Sequence, residues 1–298
     1  MPARLLPTFA SILLLALTAT HALAAEPTAS ITFDEAMAEI ESQNGGRLGV
    51  AVLDTASGER LTYRANERFA MTSTFKWVLV AAVLSRVDAG EDALDRQIQY
   101  DESDILSYAP IAKQHLPAGE MTVAELSDAA IRYSDNTAAN LLLETLGGPA
   151  GLTAYIRTLG DDMTRLDRNE PGLNTNRPGD KRDTTTPAAM VGLMRLALVG
   201  DALSAASRQQ LQDWLIRNTT GDTKLRAGLD PDWTVGDKTG AGDRGASNDV
   251  AIVWPKKGAA PILIAVYYSG TMLPNEALNA VHAEVGRVIA GVFSRVSQ

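Results

Sequence analysis

Three short constellations carry the residue types that nucleophilic chemistry needs. Ser73-Thr74-Phe75-Lys76 sets a hydroxyl and an amine three residues apart. On a helix such positions share a face, so the Ser73 hydroxyl and the Lys76 amine can meet. The flanking residues are apolar, and an amine among them loses solvation, which lowers its pKa and makes it a proton acceptor. A serine beside such a lysine is a nucleophile with its activator, and no histidine is required. An ordinary helix that happens to hold a serine and a lysine is the plain alternative. Ser134-Asp135-Asn136 supplies a second hydroxyl and a carboxamide, but these types also cap helices well. Lys238-Thr239-Gly240 offers a cation and a hydroxyl for an anion, with a glycine that leaves the backbone open to a substrate. It also reads as a strand end with a turn.

Composition removes competing chemistries. With no cysteine there is no thiol nucleophile, no disulfide framework and no cysteine-based zinc site. The three histidines, His21, His115 and His282, lack metal-ligand spacing, so neither a metallo-hydrolase nor a Ser-His-Asp triad is readily built. The formal net charge of −9, with no basic stripe, argues against a nucleic-acid partner. At the start of the chain, Arg4 precedes the apolar run SILLLALTAT (11–20) and Ala22-Leu23-Ala24, an A-x-A cleavage pattern. Residues 1–24 therefore read as a secretory signal peptide, too short in its apolar part to span a bilayer comfortably. The remaining chain is expected to be exported and soluble.

The elements that must position these groups follow from periodicity and punctuation. Ile31–Asn44 reads as a helix stopped by Gly45-Gly46. Leu48–Asp54 and Arg60–Tyr63 read as a hairpin around Thr55–Gly58. Phe75–Leu84 is apolar on nearly every side and marks a buried helix. Thr122 and Glu125 form a capping-box pattern opening a helix over Val123–Arg132. A further helix covers Thr137–Thr145 and ends at Gly147-Gly148, and a helix-poor stretch runs from Asp161 to Pro187. Helices over Ala188–Leu198 and Ser204–Arg217 follow. Then come strands at Thr234–Thr239, Asp249–Trp254 and Ile262–Ser269, and a last helix at Asn275–Ser294. The order predicts an α+β, two-layered fold. The terminal segments (about 25–68 and 218–298) join in one antiparallel five-stranded sheet flanked by the end helices. The central helices (about 69–217) form an inserted helical part. A groove between the two is the natural site.

Taken together and in this order, Ser73-x-x-Lys76, Ser134-Asp135-Asn136 and Lys238-Thr239-Gly240 resemble the signature of the penicillin-recognising serine enzymes. The stretch RLDRNEPGLNTNRPGDKRD (165–183) is similar to the Ω-loop of the class A β-lactamases, with Glu170 and Asn174 at the positions that hold the hydrolytic water. Pro171 matches that family's cis-proline, and Arg168 with Asp183 its neck ion pair. The resemblance covers essentially the whole chain after the signal. It implies a β-lactamase/transpeptidase-like fold and hydrolysis of the β-lactam amide bond, conferring antibiotic resistance. It assigns roles as follows. Ser73 is the nucleophile. Lys76, or Glu170 through a water, is its base. Ser134 donates to the leaving nitrogen, and Glu170 activates the deacylating water. The oxyanion hole falls to the backbone N–H groups of Ser73 and Ala241. Tyr108 walls the site, Asn136 binds the substrate side-chain amide, and Lys238, Thr239 and Gly240 bind the substrate. No metal or cofactor is implied, and the partners are small-molecule β-lactams.

One departure is visible. Where many members carry a carboxylate-binding arginine, this chain has Ser247, and Arg244 falls earlier, on the hairpin turn. Lys224, on the segment before the Lys238 strand, is expected to supply that charge instead. The cysteine pair of some class A carbapenemases cannot form, since Thr72 and Gly242 stand at those positions, and Ala241 carries no hydroxyl. Penicillins and earlier cephalosporins are therefore the expected substrates, with poor carbapenem turnover. A D-alanyl-D-alanine peptidase would share the acylation residues but lack the water site at Glu170 and Asn174. A β-lactam sensor would normally be fused to transmembrane segments. A secreted, periplasmic monomer of a Gram-negative bacterium is the expected form.

Overall fold

A five-stranded sheet organises the molecule. It is seen in a computed structural model that describes residues 1–2 and 31–296, so the expected signal segment lies outside the described residues save for its first two. Helix α1 (Phe33–Asn44) opens with a Thr32–Glu35 capping box. Strands β1 (Arg47–Asp54) and β2 (Arg60–Tyr63) form the expected hairpin. The C-terminal strands are β3 (Thr234–Gly242), β4 (Ala246–Trp254) and β5 (Ile262–Ser269). The sheet order is β2-β1-β5-β4-β3, antiparallel throughout, which makes β3 an edge strand.

Strand alternation divides the core in two. On one face Leu48, Val50 and Val52 of β1 and Ile262, Ile264 and Val266 of β5 pack against Met37 and Ile40 of α1 and Val281, Val285 and Ile289 of the last helix, α8 (Asn275–Val296). On the other face Ala51, Leu53, Leu263, Ala265 and Tyr267 join the core of the helical part. Each such aliphatic side chain, fully buried, contributes about 1.5–3 kcal/mol.

At the centre of the helical part runs α2 (Phe75–Asp88), with every residue from Phe75 to Leu84 buried, which explains its lack of a polar face. Helix α3 (Val123–Arg132) starts at the Thr122–Glu125 capping box. Helix α4 (Asn136–Thr145) follows with Asp135 as its cap, one residue earlier than periodicity suggested. After it comes α5 (Gly148–Thr158), which sequence periodicity did not reveal. Gly147 and Gly148, read as a stop, have φ of 82° and 79° and turn the chain directly into this next helix. The stretch before Pro187 is helix-poor as expected, with only a short turn at Gly172–Asn174. Helices α6 (Pro187–Met194) and α7 (Ala205–Ile216) complete the layer.

β3 and β4 are longer than Thr234–Thr239 and Asp249–Trp254. Gly240, Gly242, Ser247 and Asn248 have turn-forming types, but Ser247 and Asn248 are buried and paired across the ladder, and the turn itself is Asp243-Arg244-Gly245. Arg244 and Gly245 carry its positive φ values of 54° and 66°. Among the described residues no helix is long and apolar enough to cross a membrane.

Candidate active site

Ser73 sits on a tight turn, Thr72–Thr74, that leads into α2. Thr72 has φ 46°, a left-handed conformation that a β-branched residue adopts only when its surroundings hold it there, at a cost of about 1–3 kcal/mol. Asn248 of β4 does the holding: its Nδ2 donates to Ala70 O, Met71 O and Thr72 Oγ1 at 2.9, 3.0 and 2.9 Å. Gly240 of β3 closes the arrangement from the sheet side. A Cβ there would lie 2.1 Å from Thr72 Oγ1 and 3.1 Å from Ser73 N. The space freed by its missing side chain is thus filled by the nucleophile turn.

Behind Ser73, Lys76 is fully buried on α2. Its Nζ donates to Ser134 O at 2.7 Å and to Asn136 Oδ1 at 2.5 Å, and lies 3.1 Å from Glu170 Oε1. Three acceptors match the three N–H bonds of an ammonium. Burial nonetheless pushes its pKa below the usual lysine value, outweighing the opposing pull of Glu170. Ser73 Oγ donates to Glu170 Oε1 at 3.3 Å. One carboxylate oxygen therefore serves both the serine and the lysine, where helical spacing alone suggested a direct Ser73–Lys76 meeting.

Glu170 comes from the loop between Arg165 and Asp183, and its peptide to Pro171 is cis. Glu170 Oε2 accepts from Asn174 Nδ2 at 2.6 Å. Asn174 Oδ1 is buried without a protein partner. The loop neck is closed by Arg168 Nε on Asp183 Oδ2 at 2.6 Å, as the family resemblance implied. A second clamp had no sequence signal: Asn140 of α4 donates to Glu170 O and accepts from Glu170 N, both at 3.0 Å.

Ser134 lies between two lysines, with Lys238 Nζ donating to its Oγ at 3.0 Å and Lys76 Nζ 3.4 Å away. Lys238 is fully buried; burial first, and the neighbouring Lys76 second, push its pKa down to about 7. Asp135 caps α4 through Ala138 N and also accepts from Ile111 N and Ala112 N, each at 2.9 Å. Cap and site are therefore the same motif. Tyr108 is half exposed, and its carbonyl accepts from Asn136 N at 3.0 Å. Thr239 Oγ1 bonds Thr220 Oγ1 at 2.6 Å, and Ala241 is exposed at the end of β3.

Lys224 reaches the same strand pair. Its Nζ donates to Ser247 Oγ at 2.6 Å, and Ser247 lies directly opposite Ala241. His282 of α8 stands behind, its Nε2 3.1 Å from both Ser247 Oγ and Ser247 O. Burial pushes Lys224 down to about 8, against the pull of Asp249 and Asp237. Among the described residues no group of three or more His, Asp and Glu is arranged to hold a metal ion.

The chain matches the β-lactamase enzyme family over residues 32–293. It is 49% identical over 262 residues to β-lactamase AST-1 of Nocardia asteroides, covering 88% of this chain and 84% of that one. To β-lactamase CTX-M-8 of Citrobacter amalonaticus it is 47% identical, covering 85% and 86% of the two chains. Among solved structures, an ancestral (GNCA) class A β-lactamase superposes with a TM-score of 0.86 at 58% identity, covering 88% of this chain and all of that one. A putative class A β-lactamase, PenP, from Rhodopseudomonas palustris gives 0.85 at 52% identity, covering 87% and 99%. The chain belongs to the class A β-lactamases, serine hydrolases that open the β-lactam amide bond.

Proposed function

We propose that Ser73 opens the β-lactam ring as a nucleophile and that Glu170 deacylates the resulting ester. The hydrogen bond from Ser73 Oγ to Glu170 Oε1 carries this reading. As Oγ attacks the lactam carbonyl carbon, its proton passes to Glu170, directly or through a water. Negative charge moves to the carbonyl oxygen, which the backbone N–H groups of Ser73 and Ala241 receive. Lys76 contacts both Glu170 and Ser134, so it links the acceptor of the Ser73 proton to the donor facing the leaving nitrogen. Ser134 protonates that nitrogen as the C–N bond breaks, and the charge of Lys238 beside it favours its proton transfer. The acyl-enzyme is then attacked by a water. Glu170 takes its proton and passes one back to Ser73 Oγ as the ester C–O bond breaks and the opened product leaves, and the buried, unpartnered Asn174 Oδ1 supplies an acceptor to orient the water. Lys238, Thr239 and Lys224 bind the substrate carboxylate, Asn136 its side-chain amide, and Tyr108 flanks it.

Penicillins and earlier cephalosporins are the proposed substrates. The protein acts as an exported, periplasmic monomer after loss of residues 1–24, with an α/β part at about 25–68 and 218–298 and a helical part at about 69–217. The A-x-A pattern at Ala22–Ala24 supports export. Turnover of nitrocefin and benzylpenicillin by the wild type, beside Glu170→Ala with mass spectrometry on Ser73, tests the mechanism. Fast wild-type turnover is expected, with the variant held as a covalent adduct. A wild type that is itself trapped would instead indicate a peptidase or a sensor.

A further inference from the structure

A cavity of about 590 Å³ lies on the far side of the loop that carries Glu170, and none of the proposed catalytic residues lines it. Its walls come from four places: the start of β1 with the Arg68–Ala70 segment, the loop itself, the β3–β4 turn, and the end of β5 with the residues after it, Ser269–Met272. The first three contribute cations. Arg47 and Arg68 line the sheet side, Arg168, Arg177, Lys181 and Arg182 the loop side, and Arg244 the turn. Asp180 is the one acid of the lining, and Arg182 already holds it at 2.8 Å. Arg47 is paired with Glu67 and Arg168 with Asp183, both at short range. Arg68, Arg177, Lys181 and Arg244 form no ion pair with any described carboxylate.

This clustering runs against composition. The whole chain carries a net charge of −9, yet one cavity gathers seven cations around a single acid. Like charges around a shared concavity repel and raise the local potential, which an anion relieves. Guanidinium forks match phosphate oxygens bidentately. The volume falls in the range of small-molecule sites, about 300–1,000 Å³, and exceeds what one phosphate fills. Arg68 already donates to Met163 O and Thr184 Oγ1, at 2.6 and 2.9 Å, while Arg177, Lys181 and Arg244 have neither an acid partner nor a side-chain hydrogen bond among the described residues, and three such cations match more than one unit of negative charge.

We propose that this cavity binds a small soluble anion carrying two or three linked phosphoryl groups. Such a ligand bridges the loop bearing Glu170 and Asn174 to the β3–β4 turn.

Isothermal titration calorimetry with sodium tripolyphosphate, at an ionic strength held constant with sodium chloride, tests the proposal. Saturable one-to-one binding is expected for the wild type, weakened about tenfold or more in Arg177→Ala/Arg244→Ala. Both arginines are exposed, so the fold is expected to survive, as a melting curve verifies. Lys181→Ala provides an independent second variant with the same expected direction. Lys224→Ala and Thr239→Ala, which alter the catalytic groove, are expected to bind as the wild type does. Absence of saturable binding overturns the proposal. So does wild-type affinity in both cavity variants, or loss of binding in Lys224→Ala, which would place the anion in the groove.

Discussion

Lys224 shows how neighbours set the working charge of a single residue. Its amine is buried, bonded to Ser247, and held to a pKa of about 8. Below that pH it is protonated and carries the charge that the proposed carboxylate anchor needs; above it the charge is lost. The KM for benzylpenicillin is therefore expected to rise as pH climbs past 8. Removing a charge-assisted hydrogen bond costs about 1.5–3 kcal/mol, so Lys224→Ala should raise KM about tenfold to a hundredfold at neutral pH and abolish the step above pH 8. Steady-state kinetics across pH 6–10 checks both, and an unchanged KM excludes the anchor. The lysine stands out in the sequence only through the family resemblance, because Ser247 occupies the position where many members carry an arginine. Its support does not stand out: Ser247 and His282 are 35 residues apart and meet only because α8 packs on the sheet behind β4.

At the scale of elements, the catalytic serine depends on how β3, β4 and the turn before α2 interlock. Gly240→Ala would put a methyl group on Thr72 Oγ1 and against Met71 O. The expected result is a loss of kcat with little loss of secondary structure. Adding Thr72→Ala removes the nearest clash and should restore part of the activity, while the contact to Met71 O, at 3.0 Å, keeps the rescue incomplete. Comparing kcat and the far-UV circular dichroism of the single and double variants decides this. No rescue would mean that Gly240 matters for another reason. Most elements could be read from periodicity and caps, α2 and α3 most clearly, since one is apolar all round and the other opens on a capping box. Those that escaped share a cause. Helix α5 starts at glycines that look like a terminus, and the inner halves of β3 and β4 contain residues that usually make turns. Asn140 and Asn248 escaped for a different reason. Each spans two segments far apart in sequence, so no local spacing announces it.

Across the whole molecule, the sheet buries acids as well as bases. Asp249 is fully buried, with Oδ2 accepting from Leu225 N at 3.1 Å and Oδ1 without a partner. Burial first, and the nearby Asp237 second, raise its pKa well above the usual value. A carboxyl whose folded pKa exceeds its unfolded pKa contributes stability below the unfolded value and loses it as pH rises toward the folded one. Asp249→Asn removes that loss. Its melting temperature is expected to match the wild type near pH 4 and to exceed it by a growing margin toward neutral pH. Thermal melts at several pH values check this, and a constant or shrinking gap would contradict it. The sheet order has a further consequence. A strand left at an edge so that a small molecule can lie beside it is also a template on which another chain can add a strand. Val235–Gly240 of β3 are buried, leaving Thr234 at one end and Ala241 and Gly242 at the other as the accessible positions. In the folded protein that opening is too short to recruit a neighbour. During folding, before the Thr72–Thr74 turn and α7 close over it, the whole strand is open, and self-association is expected to compete with folding at that stage.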